Sequence, residues 1–318
     1  MAIAILVGRD QQEKNTYHWF IDAWRNALLR LQPDLDIRVW PDVGDKNDID
    51  FALVWNHPIG ALTQLPRLKG IASLAAGVDH VMADPNISNQ VPLSRVVDPY
   101  MANDIVQYVT SVVLHYIKRM DHWQAKQAEK TWFKQPPFTY ADQTIGIMGL
   151  GFLGSKAASI LHQLGLNVIG WSNSAKQLPG ITSFSGHAEF SSFLAQTNVL
   201  ICMLPLTTAT KNILNHHTFA QLRRGAYLVN VGRGEQLVEN DLLNSLTSGQ
   251  LSGACLDVFR EEPLPPEHPF WSHAMIRVTP HIASVTNPET AAPQVLANYQ
   301  RALAGAAMSN LVDVARGY

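Results

Sequence analysis

Cysteine is nearly absent: two thiols, Cys202 and Cys255, in 318 residues. Each lies inside an apolar run, "VLICMLP" and "GACLDVF", so two buried reduced thiols are expected rather than a disulfide or a catalytic pair. Long apolar runs are missing too, and no window approaches the roughly 18 consecutive apolar residues of a membrane helix. The opening "MAIAILVGRDQQEK" has no basic residue ahead of its short apolar run and reads as a first β-strand rather than a signal peptide. An excess of one charge is also lacking. The 24 Lys and Arg nearly balance 26 Asp and Glu, the net charge is −2, and no Lys/Arg cluster stands out. Nucleic acid and membrane surfaces are therefore not expected as partners. What remains is an ordinary globular protein, cytoplasmic by default, whose length and 47% apolar content suffice for two domains.

What is present is alternation. Short apolar runs at 2–8, 36–40, 51–55, 70–76 and 94–98 are separated by helix-like segments, which predicts a parallel flavodoxin-like α/β sheet. Between the first two, Trp19, Ala23, Leu28 and Leu31 recur at helical spacing, and Pro33 stops the helix. Residues 100–120 read as one long helix. Its apolar side chains Ile105, Val109, Val112, Val113, Tyr116 and Ile117 exceed one face's need, which suggests partial burial against a second subunit. A polar, proline-broken stretch, "KQAEKTWFKQPPF", follows. Six further strands, at 144–150, 167–172, 198–204, 226–232, 252–258 and 275–279, predict a doubly wound Rossmann domain. A last helix is expected with Asn287 as N-cap and Pro288 at its first position; Pro293 implies a kink or a later start. That helix follows a completed sheet and is expected to return to the first domain. The expected boundaries are 1–100 with 286–318 for one domain and 101–285 for the other.

Inside "TIGIMGLGFLGSK" the spacing Gly149, Gly151, Gly154 follows a strand and opens a helix, the context in which G-x-G-x-x-G binds a dinucleotide. Gly149 permits the turn, Gly151 lets backbone approach a pyrophosphate, and Gly154 lets helix and strand pack. The helix N-terminus, from Phe152 and Leu153, offers free N–H groups. About 20 residues on, where a carboxylate would bind the ribose of NAD, stands "GWSNSAKQ". Ser172, Asn173, Ser174 and Lys176 offer donors to a 2′-phosphate and no repelling charge, which favours NADP while leaving NAD possible.

Three charged residues close later strands: Arg233, Asp257 and His281. In open parallel sheets that edge is the ligand crevice, so separate strand ends converge on one site. The Arg233 fork suits a carboxylate, and Gly232 and Gly234 beside it would let a ligand approach the backbone. Glu261 and Glu262 precede a proline turn, and a carboxylate paired with His281 favours an imidazolium that can hold a proton for a carbonyl oxygen. Spacing does not choose between the two glutamates.

On "FALVW", "AAGVDH", "TIGIMGLGFLGSK", "CMLPLTTAT", "AYLVNVGRGEQ", "GACLDVFREEPLPPEHPFW", "TPHIASVT" and "VDVARGY", the chain resembles the D-isomer-specific 2-hydroxyacid dehydrogenases from end to end. The resemblance implies that Arg233 binds a 2-oxo acid, His281 donates the proton and Glu262 pairs with His281, leaving Glu261 a bystander. Trp55, Gly77 and Val78 would meet the substrate. Leu204, Pro205 and Leu206, together with Val231, Gly232 and Arg233, would line the cofactor, and Asp257 would lie near its nicotinamide carboxamide. A homodimer is implied as well. His57, His80, His216 and His217 match no catalytic position and read as surface or structural, and no ligand set for a metal assembles around them. One departure concerns the cofactor: NADPH-using reductases of the family are expected to carry a basic residue directly after the serine, where this chain has Asn173.

The expected activity is NADPH-preferring reduction of glyoxylate and hydroxypyruvate. The alternatives are a dehydrogenase of a bulkier 2-oxo acid, or a nucleotide-sensing interaction protein on the same fold.

Overall fold

The computed structural model describes residues 1–87, 90–134 and 143–314; the end of the proline-broken stretch and the last residues of "VDVARGY" lie outside them. The chain separates into two compact units, one built from Met1–Met101 with the chain from Thr286 onward, the other from Ala102–Val285.

The first unit opens with β1 (Ala2–Val7), buried along its whole length, and helices α1 (Gln11–Thr16) and α2 (His18–Leu31). Strands β2 (Ile37–Val39), β3 (Ile49–Trp55) and β4 (Gly70–Ser73) follow, then the short α3 (Asp79–Met82) and β5 (Leu93–Ser94). All pairings are parallel in the order β2-β1-β3-β4-β5, the flavodoxin-like arrangement. Continuous apolar runs such as "AIAILV" have this pattern because a parallel sheet is covered on both faces.

The buried stripe of α2 differs from the predicted one. Phe20, Ile21, Trp24, Ala27 and Leu28 face inward, whereas Trp19 and Leu31 are about half exposed. Leu28 faces inward as expected and Ala23 is half-buried, and the helix starts at His18 after a break at Tyr17. Trp24 is fully buried, and truncating such a side chain costs about 3–5 kcal/mol. Gln32 leaves the helix in an extended conformation, as the residue before Pro33 must.

The second unit begins within α4 (Pro99–Ile117). Arg119, in the left-handed region at φ 55°, ends that helix, and α5 (Met120–Ala128) follows, a helix the sequence reading placed partly in irregular chain. Ile105, Val109, Val112, Val113 and Ile117 all pack in one core with Ile145, Val199 and Val229. These five side chains are thus buried within the second unit itself. Next come β6 (Thr144–Met148), α6 (Phe152–Gln163), β7 (Asn167–Ser172), β8 (Thr182–Ser185), α7 (Gly186–Leu194) and β9 (Val199–Cys202). The unit finishes with α8 (His216–Gln221), β10 (Ala226–Asn230), α9 (Glu239–Thr247), β11 (Leu251–Leu256) and β12 (Ile276–Val278).

These strands form a seven-stranded parallel sheet in the order β12-β11-β10-β9-β6-β7-β8. One strand, β8, was not expected. As an edge strand only half-buried, "TSFS" lacks the apolar run that marks the others. The order reverses between β6 and β9, the switch point at which doubly wound sheets bind ligands. Both cysteines are free and buried in this core, and burial pushes the Cys202 thiol up to about 12.

The chain then returns to the first unit through α10 (Pro288–Leu303). The Asn287 side chain accepts from the Glu289 amide, and Pro288 occupies the first helical position. The helix runs on past Pro293 without a later start. It packs beside α2, where Arg30 pairs with Glu289. No helix among the described residues is long and apolar enough to cross a membrane.

Candidate active site

The carboxyl edge of the seven-stranded sheet is built from loops that lock onto one another. After β6, Gly149 adopts φ 106°, and a Cβ there would stand 2.8 Å from the Met203 carbonyl oxygen. At Gly154 a Cβ would overlap the Gly149 carbonyl oxygen, so the first turn of α6 sits tightly on the strand end. Around Gly151 there is open space, no carboxylate occupies the first turn, and no side chain caps the helix. Phe152 is about half exposed there, while Leu153 packs into the core. A helix N-terminus of this kind fits a pyrophosphate.

At the end of β7, Asn173, Ser174 and Lys176 are exposed and no carboxylate lies among them. Ser172 is different. It is buried and its hydroxyl donates to the Ser174 carbonyl at 2.7 Å.

Arg233 follows β10 and is partly buried, its guanidinium donating to the Gly232 carbonyl at 2.8 Å. Its backbone amide donates to Oε1 of Gln236 (2.9 Å), and the same side chain's Nε2 donates to the Leu204 and Pro205 carbonyls (2.9 and 3.2 Å). Cys202 completes the set by donating to Oε1. Fully buried Gln236 therefore ties the Arg233 loop to the segment after β9, a residue the sequence reading passed over. The neighbouring glycines are also required by close packing within the protein. A Cβ at Gly232 would strike Gln236, and one at Gly234 would strike the backbone of Phe259 and Arg260.

Asp257, 1% exposed, follows β11 and holds the next loop in place. Its carboxylate accepts from Thr279 (2.6 Å) and from the amides of Ile282 (2.9 Å) and Ala283 (2.8 Å), while its carbonyl accepts from the His281 amide at 2.8 Å. Since the Thr279 proton goes to Asp257, the Tyr108 hydroxyl donates to Thr279 at 2.5 Å. Burial pushes the Asp257 carboxyl up despite these donors. The clamp also holds His281 in the left-handed region, at φ 54°.

His281 Nδ1 lies 2.8 Å from Glu262 Oε2, and Glu262 Oε1 accepts from the Phe259 amide at 2.9 Å. Burial alone would raise the Glu262 carboxyl. The hydrogen bond and charge of His281, the Phe259 amide and the charge of Arg233 outweigh it and hold the group below the usual carboxylate range. Imidazole and guanidinium thus act on the same carboxylate. The imidazole stays 42% exposed, with Nε2 as the ring nitrogen left for a ligand.

In the first unit, Trp55 is partly buried at the end of β3, and Gly77 and Val78 lead into α3. His57 and His80 are both buried rather than at the surface. His57 lies 3.3 Å from Asp84, and burial keeps its imidazole below the ordinary range despite that carboxylate. His216 and His217 stack on each other at the start of α8. Among the described residues no cluster of His, Cys, Asp and Glu could hold a metal ion.

A parallel doubly wound sheet, a glycine turn open to a pyrophosphate and a carboxylate–imidazole pair beside an arginine define the frame of a dinucleotide-dependent oxidoreductase. The family model described as "D-isomer specific 2-hydroxyacid dehydrogenase, NAD binding domain" matches residues 110–283. Glyoxylate/hydroxypyruvate reductase A of Yersinia enterocolitica is 43% identical over 309 residues, 95% of this chain and 98% of the relative. The protein of the same name from Serratia proteamaculans is 42% identical over the same shares. Among solved structures, a D-isomer specific 2-hydroxyacid dehydrogenase from Xanthobacter autotrophicus in complex with NADPH and MES superposes with TM-score 0.90 at 37% identity, covering 100% of this chain and 99% of that one. An NADPH-dependent glyoxylate/hydroxypyruvate reductase from Sinorhizobium meliloti, in complex with NADP and sulfate, gives 0.89 at 32% identity with both chains fully covered. The chain belongs to the D-isomer-specific 2-hydroxyacid dehydrogenase family.

Proposed function

We propose that the protein reduces glyoxylate and hydroxypyruvate to glycolate and D-glycerate, with NADPH as the preferred reductant. The observation that carries the reading is the 2.8 Å pair of His281 and Glu262, with the Arg233 charge acting on the same carboxylate. The names of the most similar relatives support the substrate class. The NADPH and NADP in the solved relatives support the cofactor.

Gly149, Gly151 and Gly154, with the amides of Phe152 and Leu153, would hold the pyrophosphate. Leu204, Pro205, Val231, Gly232 and Asp257 would border the nicotinamide end. When bound, the reduced dinucleotide supplies a hydride. His281, held at Nδ1 by Glu262, presents Nε2 to the carbonyl oxygen as the proton donor. Arg233 binds the carboxylate and polarises the carbonyl. In the first unit we assign Trp55 and the backbone of Gly77 and Val78 to the substrate. That makes this unit the substrate domain, residues 1–100 with 286–318, and residues 101–285 the cofactor domain.

Preference for NADPH rests on the exposed, carboxylate-free Asn173, Ser174 and Lys176, with Lys176 the cation available to a 2′-phosphate. A cytoplasmic homodimer completes the proposal. Trp132, 99% exposed, and half-exposed Phe133 are apolar surface that a second copy would cover. Light scattering on the purified protein tests the dimer, which a monomeric mass would overturn. Steady-state kinetics with glyoxylate, hydroxypyruvate and larger 2-oxo acids, each with NADPH and NADH, test the activity. Highest kcat/KM on a bulkier acid, or no oxidation of either cofactor, would overturn it.

A further inference from the structure

His80 belongs to no catalytic pattern, yet it is 8% exposed and sits between the two segments assigned above to the substrate. Strands β3 and β4 are neighbours, with Val54 opposite Ser73, so the chain after Trp55 and the chain after Ser73 leave the sheet side by side. His80 bridges them. Its Nδ1 lies 3.2 Å from the Asn56 amide nitrogen and its Nε2 lies 3.2 Å from the Ser73 hydroxyl. That hydroxyl in turn lies 3.0 Å from the Gly77 carbonyl oxygen and 3.2 Å from that of Ala75, and accepts from the Ala75 amide. The Trp55 ring lies 6.5 Å from the imidazole.

Counting protons along this chain leaves one arrangement. A backbone amide only donates, so Nδ1 facing Asn56 is the unprotonated nitrogen, and the single proton of the neutral ring is on Nε2. Nε2–H donates to Ser73, and the Ser73 proton is then free for the Gly77 and Ala75 carbonyls. The relay runs in one direction, from Asn56 to Gly77.

The Gly77 carbonyl and the Val78 N–H belong to one planar trans peptide unit and point in opposite directions. Drawing the Gly77 oxygen toward Ser73 therefore turns the Val78 N–H outward, away from the relay. We infer that His80 is a positioning residue that aims the Val78 amide at the substrate carboxylate and fixes Trp55 beside it, without touching the substrate itself. The inference rests on the proposed reduction of 2-oxo acids.

The test is steady-state kinetics on glyoxylate and hydroxypyruvate at saturating NADPH, with wild type, His80→Leu, His80→Gln and Ser73→Ala. Aiming an amide at a bound carboxylate is binding shared by ground state and transition state, so its loss appears in KM. His80→Leu and Ser73→Ala are expected to raise the oxo-acid KM about tenfold, the scale of one hydrogen bond to a charged group. kcat and the NADPH KM should stay within about twofold. The Gln amide can accept from Asn56 and donate to Ser73, so His80→Gln should recover most of the loss. If His80→Leu does not fold, Ser73→Ala carries the same expectation, because it cuts the same relay. An unchanged oxo-acid KM, an equal loss in kcat and NADPH KM, or no recovery in His80→Gln would overturn the inference alone. A wild-type enzyme that reduces neither acid overturns the reduction reading and the inference with it.

Discussion

The carboxyl edges of the two sheets carry opposite chemistries. In the second unit the edge presents Arg233, Glu262 and His281, each fixed by polar partners: buried Gln236 beneath the arginine loop, the Phe259 amide on Glu262, and buried Asp257 with part-buried Thr279 and Tyr108 beneath the histidine loop. In the first unit the edge presents an indole and backbone groups beside His80 and Ser73, and the buried carboxylate of Asp84 accepts from the Gly60 and Asn86 amides and lies 3.3 Å from His57. On the proposed function, one edge moves charge and protons and the other binds the substrate carboxylate. Substitutions in the second unit should therefore strike turnover, and those in the first should strike affinity.

The largest expected effect separates the two edges most sharply. His281→Ala and Arg233→Ala should each lower kcat/KM on hydroxypyruvate by about three orders of magnitude, since each removes a group acting in the transition state. NADPH affinity by fluorescence titration should stay near wild type. Near-normal turnover in both variants would erase the contrast.

Asp257→Ala frees the Ile282 and Ala283 amides and the Thr279 hydroxyl. It should cost about 2 kcal/mol or more in denaturant unfolding and lower kcat as His281 loses its placement. Gly154→Ala forces a methyl against the Gly149 carbonyl and should cost about 1–3 kcal/mol while raising the NADPH KM more than the oxo-acid KM.

Glu262→Gln should lower kcat/KM by about tenfold in steady-state kinetics, because the carboxylate that holds His281 Nδ1 at 2.8 Å is replaced by a neutral amide. The stability counterpart follows from the direction of the Glu262 shift. Its folded carboxyl lies below the unfolded value, so its contribution is present above about pH 4.3 and lost as pH falls through the folded value. Wild type should therefore lose Tm on acidification more steeply than the variant. The smallest effect is expected at Lys176→Ala, which should narrow the NADPH-over-NADH preference by up to about tenfold; no change would place the preference elsewhere in the loop.

Much of this architecture was legible in the chain because its signals are local. Buried parallel strands such as β1, β6 and β9 are near-continuous apolar runs, whereas β8 at an edge and the two-residue β5 carry little or none of that signal. The glycine spacing implied its own geometry, since φ 106° at Gly149 and zero clearance at Gly154 admit little else. Arg233, Asp257 and His281 could be found because each closes an apolar strand. The inward stripe of α2 was read correctly at Leu28 but not at Trp19 and Leu31, because several apolar stripes run along this helix and packing selects the one through Phe20, Trp24 and Ala27.

By itself, then, the sequence determined the elements, their order and the residues able to do chemistry, because these depend on neighbours within a few positions along the chain. Only the tertiary structure decided that Ser172 donates within its own turn, that Gln236 and Thr279 brace the loops of Arg233 and His281, and that His80 bridges Asn56 and Ser73, and it closed the Glu262–His281 pair that the resemblance implied and spacing left open. Each of those facts is a hydrogen bond closed after the strands have paired, and single-residue spacing carries no trace of which partner a buried donor will find.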